Sequence, residues 1–216
     1  MHKSINNLNL IKENLKLKVK DYDKIKIIAV SKTFPSEKIM PLIEYGHLDF
    51  GENKVQEAVD KWSDIKINFP KTKLHLIGKL QTNKVKFAVK IFDYIHSVDS
   101  EKLAKKIADE EIKINKKIKI FIQVNIGNEQ QKSGINKSQL QDFYLFCKKL
   151  NLNIAGLMCI PPIDQDTISF FKEMQTLTHD LKLNELSMGM SSDYIEAARY
   201  SSTFLRIGSG IFGQRG

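Results

Sequence analysis

The feature that most constrains the fold is an alternation, repeated about eight times along the chain, of a short apolar run with a segment of helical periodicity. The runs are rich in β-branched residues and are typical of strands buried on both faces. Strands that alternate with helices through short connections pair in parallel, so the pattern predicts a (β/α)8 barrel, with an open doubly wound sheet as the alternative. The predicted strands lie at residues 25–32, 48–50, 74–77, 94–97, 118–125, 154–158, 185–187 and 204–207.

The length of the chain indicates one domain. Its 216 residues are enough for one hydrophobic core, and no linker, low-complexity segment or solenoid-type repeat divides them. We therefore expect a single barrel domain over residues 1–216. It should begin with a helix over about residues 4–20, whose apolar positions are Ile5, Leu8, Ile11, Leu15 and Val19.

Composition excludes several classes of function. A hydrophobic content of 42% and a charged content of 27% are typical of a globular protein. No apolar run is long enough for a membrane span and the N-terminus lacks the apolar core of a signal peptide, so we expect a cytoplasmic protein without a membrane partner. Cys147 and Cys159 show neither CxxC spacing nor a histidine cluster, which indicates packing residues rather than a disulfide framework or a zinc site.

The net charge of +9 raises nucleic-acid binding as a hypothesis. The lysines, however, are spread over segments such as 12–18 and 113–117, with no basic stripe interleaved with aromatic residues. This spread is typical of solvated helix surfaces. We expect no nucleic-acid partner, and a nucleic-acid-binding module is the third of three functional hypotheses.

Lys32 lies where the first strand gives way to a loop, at the carboxyl end of that strand. In barrels and open α/β sheets this end carries the chemistry. A lysine there has two interpretations. It is either a solvated charge or an amine whose ammonium form is disfavoured by its surroundings, so that the neutral amine attacks an aldehyde as a nucleophile.

Polar and small residues follow the other predicted strands as well, so the barrel should carry one polar mouth. The set comprises Lys32, Asn53, His75 with Gly78, Ser97, Asn125, Met158, residues 187–192 and residues 206–209. Each member also has a structural interpretation: Asn53 as a helix cap, Gly78 as a turn residue and His75 as a buried core histidine.

Two glycine-containing segments, 188–193 and 207–210, predict an anion site at this mouth. Backbone N–H groups and small side chains there let a phosphate approach closely, and the last loops of a barrel commonly bind phosphate. A lysine that forms an imine, across the mouth from a phosphate cradle, indicates a phosphorylated aldehyde. Pyridoxal 5′-phosphate (PLP) fits this description, and so does the sugar-phosphate substrate of a Schiff-base aldolase.

The ordered motifs resemble the pyridoxal phosphate homeostasis protein family from about residue 28 onward. They are AVSKT at 29–33, GENKVQE at 51–57, HLIGKLQTNK at 75–84, QVN at 123–125, KSG at 132–134, GLMCIPP at 156–162, LSMGMS at 186–191 and RIGSGIFG at 206–213. The chain departs from the family pattern at Ser201, where glycine is usual, and at Cys159, where alanine is common.

The resemblance implies a barrel like the N-terminal domain of alanine racemase, which is fold type III among PLP proteins, and PLP held as an internal aldimine on Lys32. It implies phosphate contacts at Ser191, Gly208 and Ser209, a cofactor-binding position at Met190, and Arg206 facing the pyridine nitrogen. It also implies that Asn53 and His75 line the pocket. The implied role is intracellular PLP (vitamin B6) homeostasis.

The arginine bears on whether such a protein is an enzyme. A guanidinium keeps its proton, so it leaves the pyridine ring a weaker electron sink than an aspartate would. Barrel racemases have a second acid/base from a separate domain, which we expect this chain to lack. We therefore expect a carrier, a monomer, that releases PLP by imine exchange to PLP-dependent apoenzymes; the alternative is a small PLP-dependent racemase or a Schiff-base aldolase.

Overall fold

The computed structural model describes residues 2–162 and 165–214. Eight strands, all parallel and in chain order, close into one barrel, which confirms the predicted fold and excludes the open sheet. The strands are β1 (Lys26–Val30), β2 (Asp49–Glu52), β3 (Lys73–Leu76), β4 (Tyr94–Val98), β5 (Lys119–Val124), β6 (Asn153–Cys159), β7 (Glu185–Ser187) and β8 (Phe204–Ile207).

Helices follow each strand and surround the barrel. They are α1 (Lys3–Lys18), α2 (Ser36–Glu44), α3 (Val55–Asn68), α4 (Val85–Ile91), α5 (Glu101–Ile114), α6 (Leu140–Lys149), α7 (Thr167–Asp180), α8 (Tyr194–Arg199) and α9 (Ser209–Phe212). Short 3-10 turns at Tyr22–Lys24, Thr82–Lys84 and Lys137–Gln139 join some of them. The N-terminal helix ends two residues earlier than predicted, because Val19 takes an extended conformation. The first strand likewise ends at Val30, so Lys32 lies two residues beyond it.

Alternation along the strands separates the barrel interior from the layer beneath the helices. In β1, Ile27 and Ala29 belong to the large core between strands and helices, whereas Ile28 and Val30 belong to a smaller cluster inside the barrel. That inner cluster consists of Ile28, Val30, Tyr94, Phe121, Met158 and Phe204. The interior is therefore packed with side chains, and any site must lie above it, at an end of the barrel.

Gly156 shows how closely the wall is packed. A Cβ at Gly156 in β6 would lie 1.7 Å from the Glu185 carbonyl oxygen, so only glycine fits there. Cys147 and Cys159 are both buried in the outer core and unpaired, as their spacing predicted. In the described part of the chain, no helix combines the length and apolar character needed to cross a bilayer.

Candidate functional site

A cavity of about 490 Å³ opens at the carboxyl end of the barrel, between the loops that follow β1 and β8. Its volume is that of a typical small-molecule site. The residues that line it are Val30, Lys32, Phe34, Asn53, Ile77, Ile160, Met190, Ser191, Ser192, Arg206, Gly208, Ser209, Gly213 and Gln214. The set includes seven of the eight residues that the sequence assigned to the site; His75 is the exception.

Lys32 reaches the cavity because the backbone turns sharply after β1. Thr33 takes a left-handed conformation with φ of 68°, which is unusual for a β-branched residue. The backbone N–H of Thr33 donates to Glu57 Oε1 at 2.5 Å, and the N–H of Phe34 donates to the Ser31 carbonyl at 3.1 Å. These bonds fix the turn that carries Lys32.

A buried ionic cluster lies behind this turn. Glu52, at the end of β2, is fully buried, and its Oε1 accepts from Ser31 Oγ at 2.7 Å, from Lys61 Nζ at 3.0 Å and from Trp62 Nε1 at 3.0 Å. Lys61 Nζ also donates to the Ser31 carbonyl and to Glu57 Oε1. Burial raises the pKa of Glu52, against the opposing effect of Trp62, Ser31 and Lys61. The cluster positions the residue before Lys32 without lining the cavity.

Arg206 forms the opposite wall from a position in β8, with a side chain that is almost fully buried. Its Nη1 donates to Ser187 Oγ at 2.7 Å and its Nη2 donates to the Cys159 carbonyl at 2.8 Å. Burial lowers the pKa of Arg206, although a guanidinium keeps its proton in proteins. Both of these acceptors are neutral, so the cavity has a positively charged wall.

The anion site predicted from the glycine-containing segments lies beside Arg206. Gly208 caps the short helix α9, and Ser209 begins it. Ser191 Oγ accepts from the Gly210 N–H at 3.1 Å and so joins the loop after β7 to this helix start. A Cβ at Gly208 would lie no closer than 3.5 Å to the atoms of Val30, which is an ordinary van der Waals contact, so the packing of the protein itself does not require glycine there. Backbone N–H groups at the start of a helix lack intrahelical acceptors and favour an anion.

The remaining lining is mixed. Asn53 follows β2 and does not cap the next helix, since the capping position is Lys54 and no side chain there accepts a backbone bond. Phe34, Ile77 and Ile160 supply apolar surface, and Met190 lies next to Ser191. A flat apolar ring with polar substituents would find both kinds of contact here.

His75 does not line the cavity, so the expectation that it lies in the pocket is not met by the geometry. Its side chain is fully buried inside the barrel, with Nε2 2.9 Å from Asp49 Oδ1 and Nδ1 3.0 Å from His96 Nε2. The reason is alternation: β3 ends at Leu76, and the next inward residue, Ile77, is the one that reaches the mouth. Similarly, Met158 lies in the inner cluster rather than at the mouth.

Sequence reasoning missed the side chains that support the site. Glu52, Lys61 and Trp62 hold the turn before Lys32, and His96 lies behind Ser187, which the sequence placed at the mouth and which accepts a hydrogen bond from Arg206. Glu52 directly precedes the predicted mouth residue Asn53, which is the signal that the sequence offered for part of this set.

A parallel (β/α)8 barrel with a lysine on one wall, a buried guanidinium on the other and a glycine-rich helix start beside it defines a class of barrels that bind phosphorylated carbonyl compounds. The comparisons with known proteins make this specific. The model of the alanine racemase N-terminal domain family matches residues 6–216. The chain belongs to this family and, within it, to the pyridoxal phosphate homeostasis proteins.

Three known proteins illustrate the similarity. A pyridoxal phosphate homeostasis protein of Vibrio cholerae serotype O1 is 37% identical over 202 residues, which cover 88% of this chain and 86% of the relative. The structure of PipY from Synechococcus elongatus PCC7942 with PLP bound has a TM-score of 0.86 at 32% identity and covers 97% of this chain and 100% of PipY. An alanine racemase of Clostridium difficile 630, at 15% identity and a TM-score of 0.75, shares the fold; the match covers 99% of this chain and 57% of the racemase.

Proposed function

We propose that this protein binds PLP, holds it covalently through Lys32 and hands it on, as a component of intracellular vitamin B6 homeostasis. The observation that carries the proposal is that Lys32, Arg206 and the segment from Gly208 to Ser209 line one cavity of about 490 Å³. The similarity to PipY with PLP bound supports the same cofactor for this chain.

The residues present fit the cofactor in their chemistry. Lys32 supplies the amine for attachment, and Ser191, Gly208 and Ser209 supply donors for a phosphate. Arg206 places a permanent cation on the remaining wall, for the pyridine nitrogen. Asn53 and Met190 complete the lining, whereas His75 lies inside the barrel, hydrogen-bonded to His96, and does not line the cavity.

The lining favours a carrier over an enzyme. When bound, PLP supplies an aldehyde carbon for exchange between amines and a ring that withdraws electrons. Of the cavity-lining residues that the structure describes, Lys32 and Arg206 are the ionisable ones. Racemisation requires two groups that exchange protons on opposite faces of the substrate, and Arg206 keeps its proton. We therefore propose binding and release without efficient turnover of amino acids.

Release should occur when an incoming amine replaces Lys32 and the phosphate leaves its donors. We propose PLP-dependent apoenzymes in the cytoplasm as the recipients and a monomer as the working form. The half-buried position of Lys32 at an open mouth is compatible with such an exchange.

The visible absorption of the purified protein with PLP tests the proposal. We expect a yellow wild type that borohydride bleaches, and peptide mapping should then locate the reduced cofactor on Lys32. We expect Lys32→Ala to lose both properties while retaining weak binding through the phosphate donors. Lys38→Ala is the matched control, since Lys38 is exposed and lies in α2 just after the same turn. A colourless wild type, or a label on another lysine, would contradict the proposal. Exchange of an amino acid's α-proton in heavy water at enzymatic rates, dependent on Lys32, would overturn the carrier role.

A further inference from the structure

A chain of buried side chains leads from Arg206 down through the barrel to its opposite end. Arg206 Nη1 lies 2.7 Å from Ser187 Oγ, which lies 3.0 Å from His96 Nδ1. His96 Nε2 lies 3.0 Å from His75 Nδ1, and His75 Nε2 lies 2.9 Å from Asp49 Oδ1. Asp49 is the first residue of β2, so the chain spans the barrel from its carboxyl end to its amino end.

The chemistry of the end groups fixes the direction of every bond. Arg206 has only donors, so Ser187 Oγ accepts from it, and the Asp49 carboxylate only accepts, so His75 Nε2–H donates to it. With both buried imidazoles neutral, His75 Nδ1 then accepts from His96 Nε2–H, and His96 Nδ1 accepts from the Ser187 hydroxyl. All bonds point from the cation to the carboxylate, and both histidines are neutral with one defined tautomer each.

The surroundings support this assignment. His75 stacks on Tyr94 with ring centroids 4.3 Å apart, and His96 stacks on Phe121 at 4.2 Å, with Phe204 packed against both histidines. Both imidazoles are fully buried. Burial lowers the pKa of each, that of His96 well below its ordinary value. The charged groups that face them are Asp49, Asp93 and Lys26 around His75, and Arg206 together with the neighbouring His75 around His96.

We propose that Ser187, His96 and His75 are positioning residues that fix the Arg206 guanidinium and connect it to Asp49 as its remote counter-charge. Neither of the contacts described above for Arg206 is with a carboxylate, and the carboxylate of Asp193 acts on it through space. A carboxylate in direct contact would occupy guanidinium donors, whereas the chain uses one of them and leaves the cavity-facing edge for a ligand. The orientation of Arg206 and the positive potential in the cavity thus depend on a residue at the far end of the barrel.

This arrangement predicts a measurable coupling between the two ends. The side chain of Asp49 is 19% exposed and lines a second cavity of about 310 Å³ at the amino end, together with His47 and Lys26. A change in the charge of Asp49 is carried along polarised bonds in a low-dielectric interior, so it should reach Arg206 with little screening. The effect on bound cofactor rests on the proposed function; the protonation of the histidines does not.

Nitrogen-15 NMR of the histidines in the protein without PLP tests the chain directly. We expect His75 and His96 to show Nε2–H tautomers and no titration between about pH 5 and pH 8, because ionisation would place a second cation in the barrel. Titration of either ring in this range, or Nδ1–H tautomers, would overturn the proposal. A wild type that fails to take up PLP leaves this readout intact, so the two proposals fail separately.

Variants test the role in cofactor binding. We expect Ser187→Ala to weaken PLP binding about tenfold or more, as for loss of a hydrogen bond to a charged group. Competition by inorganic phosphate should be unchanged, and Ser187→Thr, which keeps the hydroxyl, should restore PLP binding.

Asp49→Asn keeps an acceptor and removes the charge. The pH midpoint of the visible band should therefore move down, since losing a negative charge disfavours protonated forms. Wild-type affinity in Ser187→Ala would overturn the positioning role, and an unchanged midpoint in Asp49→Asn would overturn the counter-charge role; the second variant remains informative if the first fails to fold.

Discussion

The two walls of the cavity are held in place by different means. Behind the Lys32 wall, the buried ion pair of Glu52 and Lys61 holds the Ser31 backbone on one side of the lysine. On the Arg206 wall, the guanidinium itself donates to Ser187 and to the Cys159 carbonyl, which lie behind it. One wall is therefore anchored through the main chain and the other through the functional group.

The difference matches what each wall has to do. A covalent link that forms and breaks requires an amine that changes partners, and anchoring the backbone leaves the side chain able to do so. A group that orients a ring should stay still, and hydrogen bonds to the guanidinium keep it still. The walls should therefore respond differently to mutation.

Glu52→Leu should destabilise the fold by about 3–5 kcal/mol, because it leaves Lys61 buried without its closest carboxylate and removes the acceptor of Ser31 and Trp62. Urea unfolding measures this loss. Glu196→Leu, which breaks the exposed pair with Arg199, should cost less than about 1 kcal/mol. A Glu52→Leu protein as stable as the wild type would show that the ion pair does not anchor the Lys32 wall.

Lys61→Met should show a pH-dependent loss of stability. Burial raises the pKa of Glu52 above its ordinary value of 4.5. The contribution of protonated Glu52 to folding stability is therefore full at low pH, and it is lost as the pH rises through the folded-state pKa. Without the Lys61 cation, which opposes this rise, the pKa of Glu52 should increase further. The free energy of unfolding of the variant should therefore fall further below that of the wild type at about pH 8 than at about pH 4.

Lys113→Met is the control for that titration. Its partner Glu110 lies in α5 with a side chain that is 10% exposed, and hydrogen bonds from Lys106 and Lys113 hold the pKa of Glu110 down at about 2. Loss of Lys113 should thus have the same effect at both ends of the pH range. If Lys61→Met gives equally parallel curves in urea unfolding at the two pH values, Glu52 does not titrate as proposed.

Two residues with a left-handed backbone conformation should show the smallest difference between the walls. Thr33 has φ of 68° on the Lys32 wall, and Ser201 has φ of 66° in the turn that leads into β8. Glycine at either position should raise the stability by up to about 1 kcal/mol by removing strain. Ser201→Gly should leave the borohydride labelling of Lys32 unchanged, whereas Thr33→Gly should slow it, because strain retained beside a site residue indicates a role in placing it. Equal labelling in both variants would remove this distinction between the walls.

The sequence predicted the barrel and most of the mouth because both depend on local patterns. An apolar run followed directly by Lys32 marks a strand end, and glycines after the last strands mark an anion site. Ser201, noted as a departure from a usual glycine, lies in a left-handed conformation that explains why glycine is common there.

The supports of the site were beyond local patterns. The contacts of Glu52 with Trp62, or of His96 with Ser187, depend on the stagger of the closed barrel, which brings together residues far apart in the chain. His75 illustrates the limit: its strand was predicted correctly, but a difference of two residues along that strand separates the mouth from the interior.

The pairing that closes the barrel also has a consequence for when the protein becomes competent. β1 pairs with β8, with Ala29 opposite Ile207, so the first strand cannot close the barrel until the last strand has been synthesised. Lys32 leaves the ribosome long before Arg206 is translated, and until β8 joins β1 the two halves of the binding cavity do not face each other. A nascent chain should therefore be unable to trap the vitamin, and loading should belong to the finished molecule.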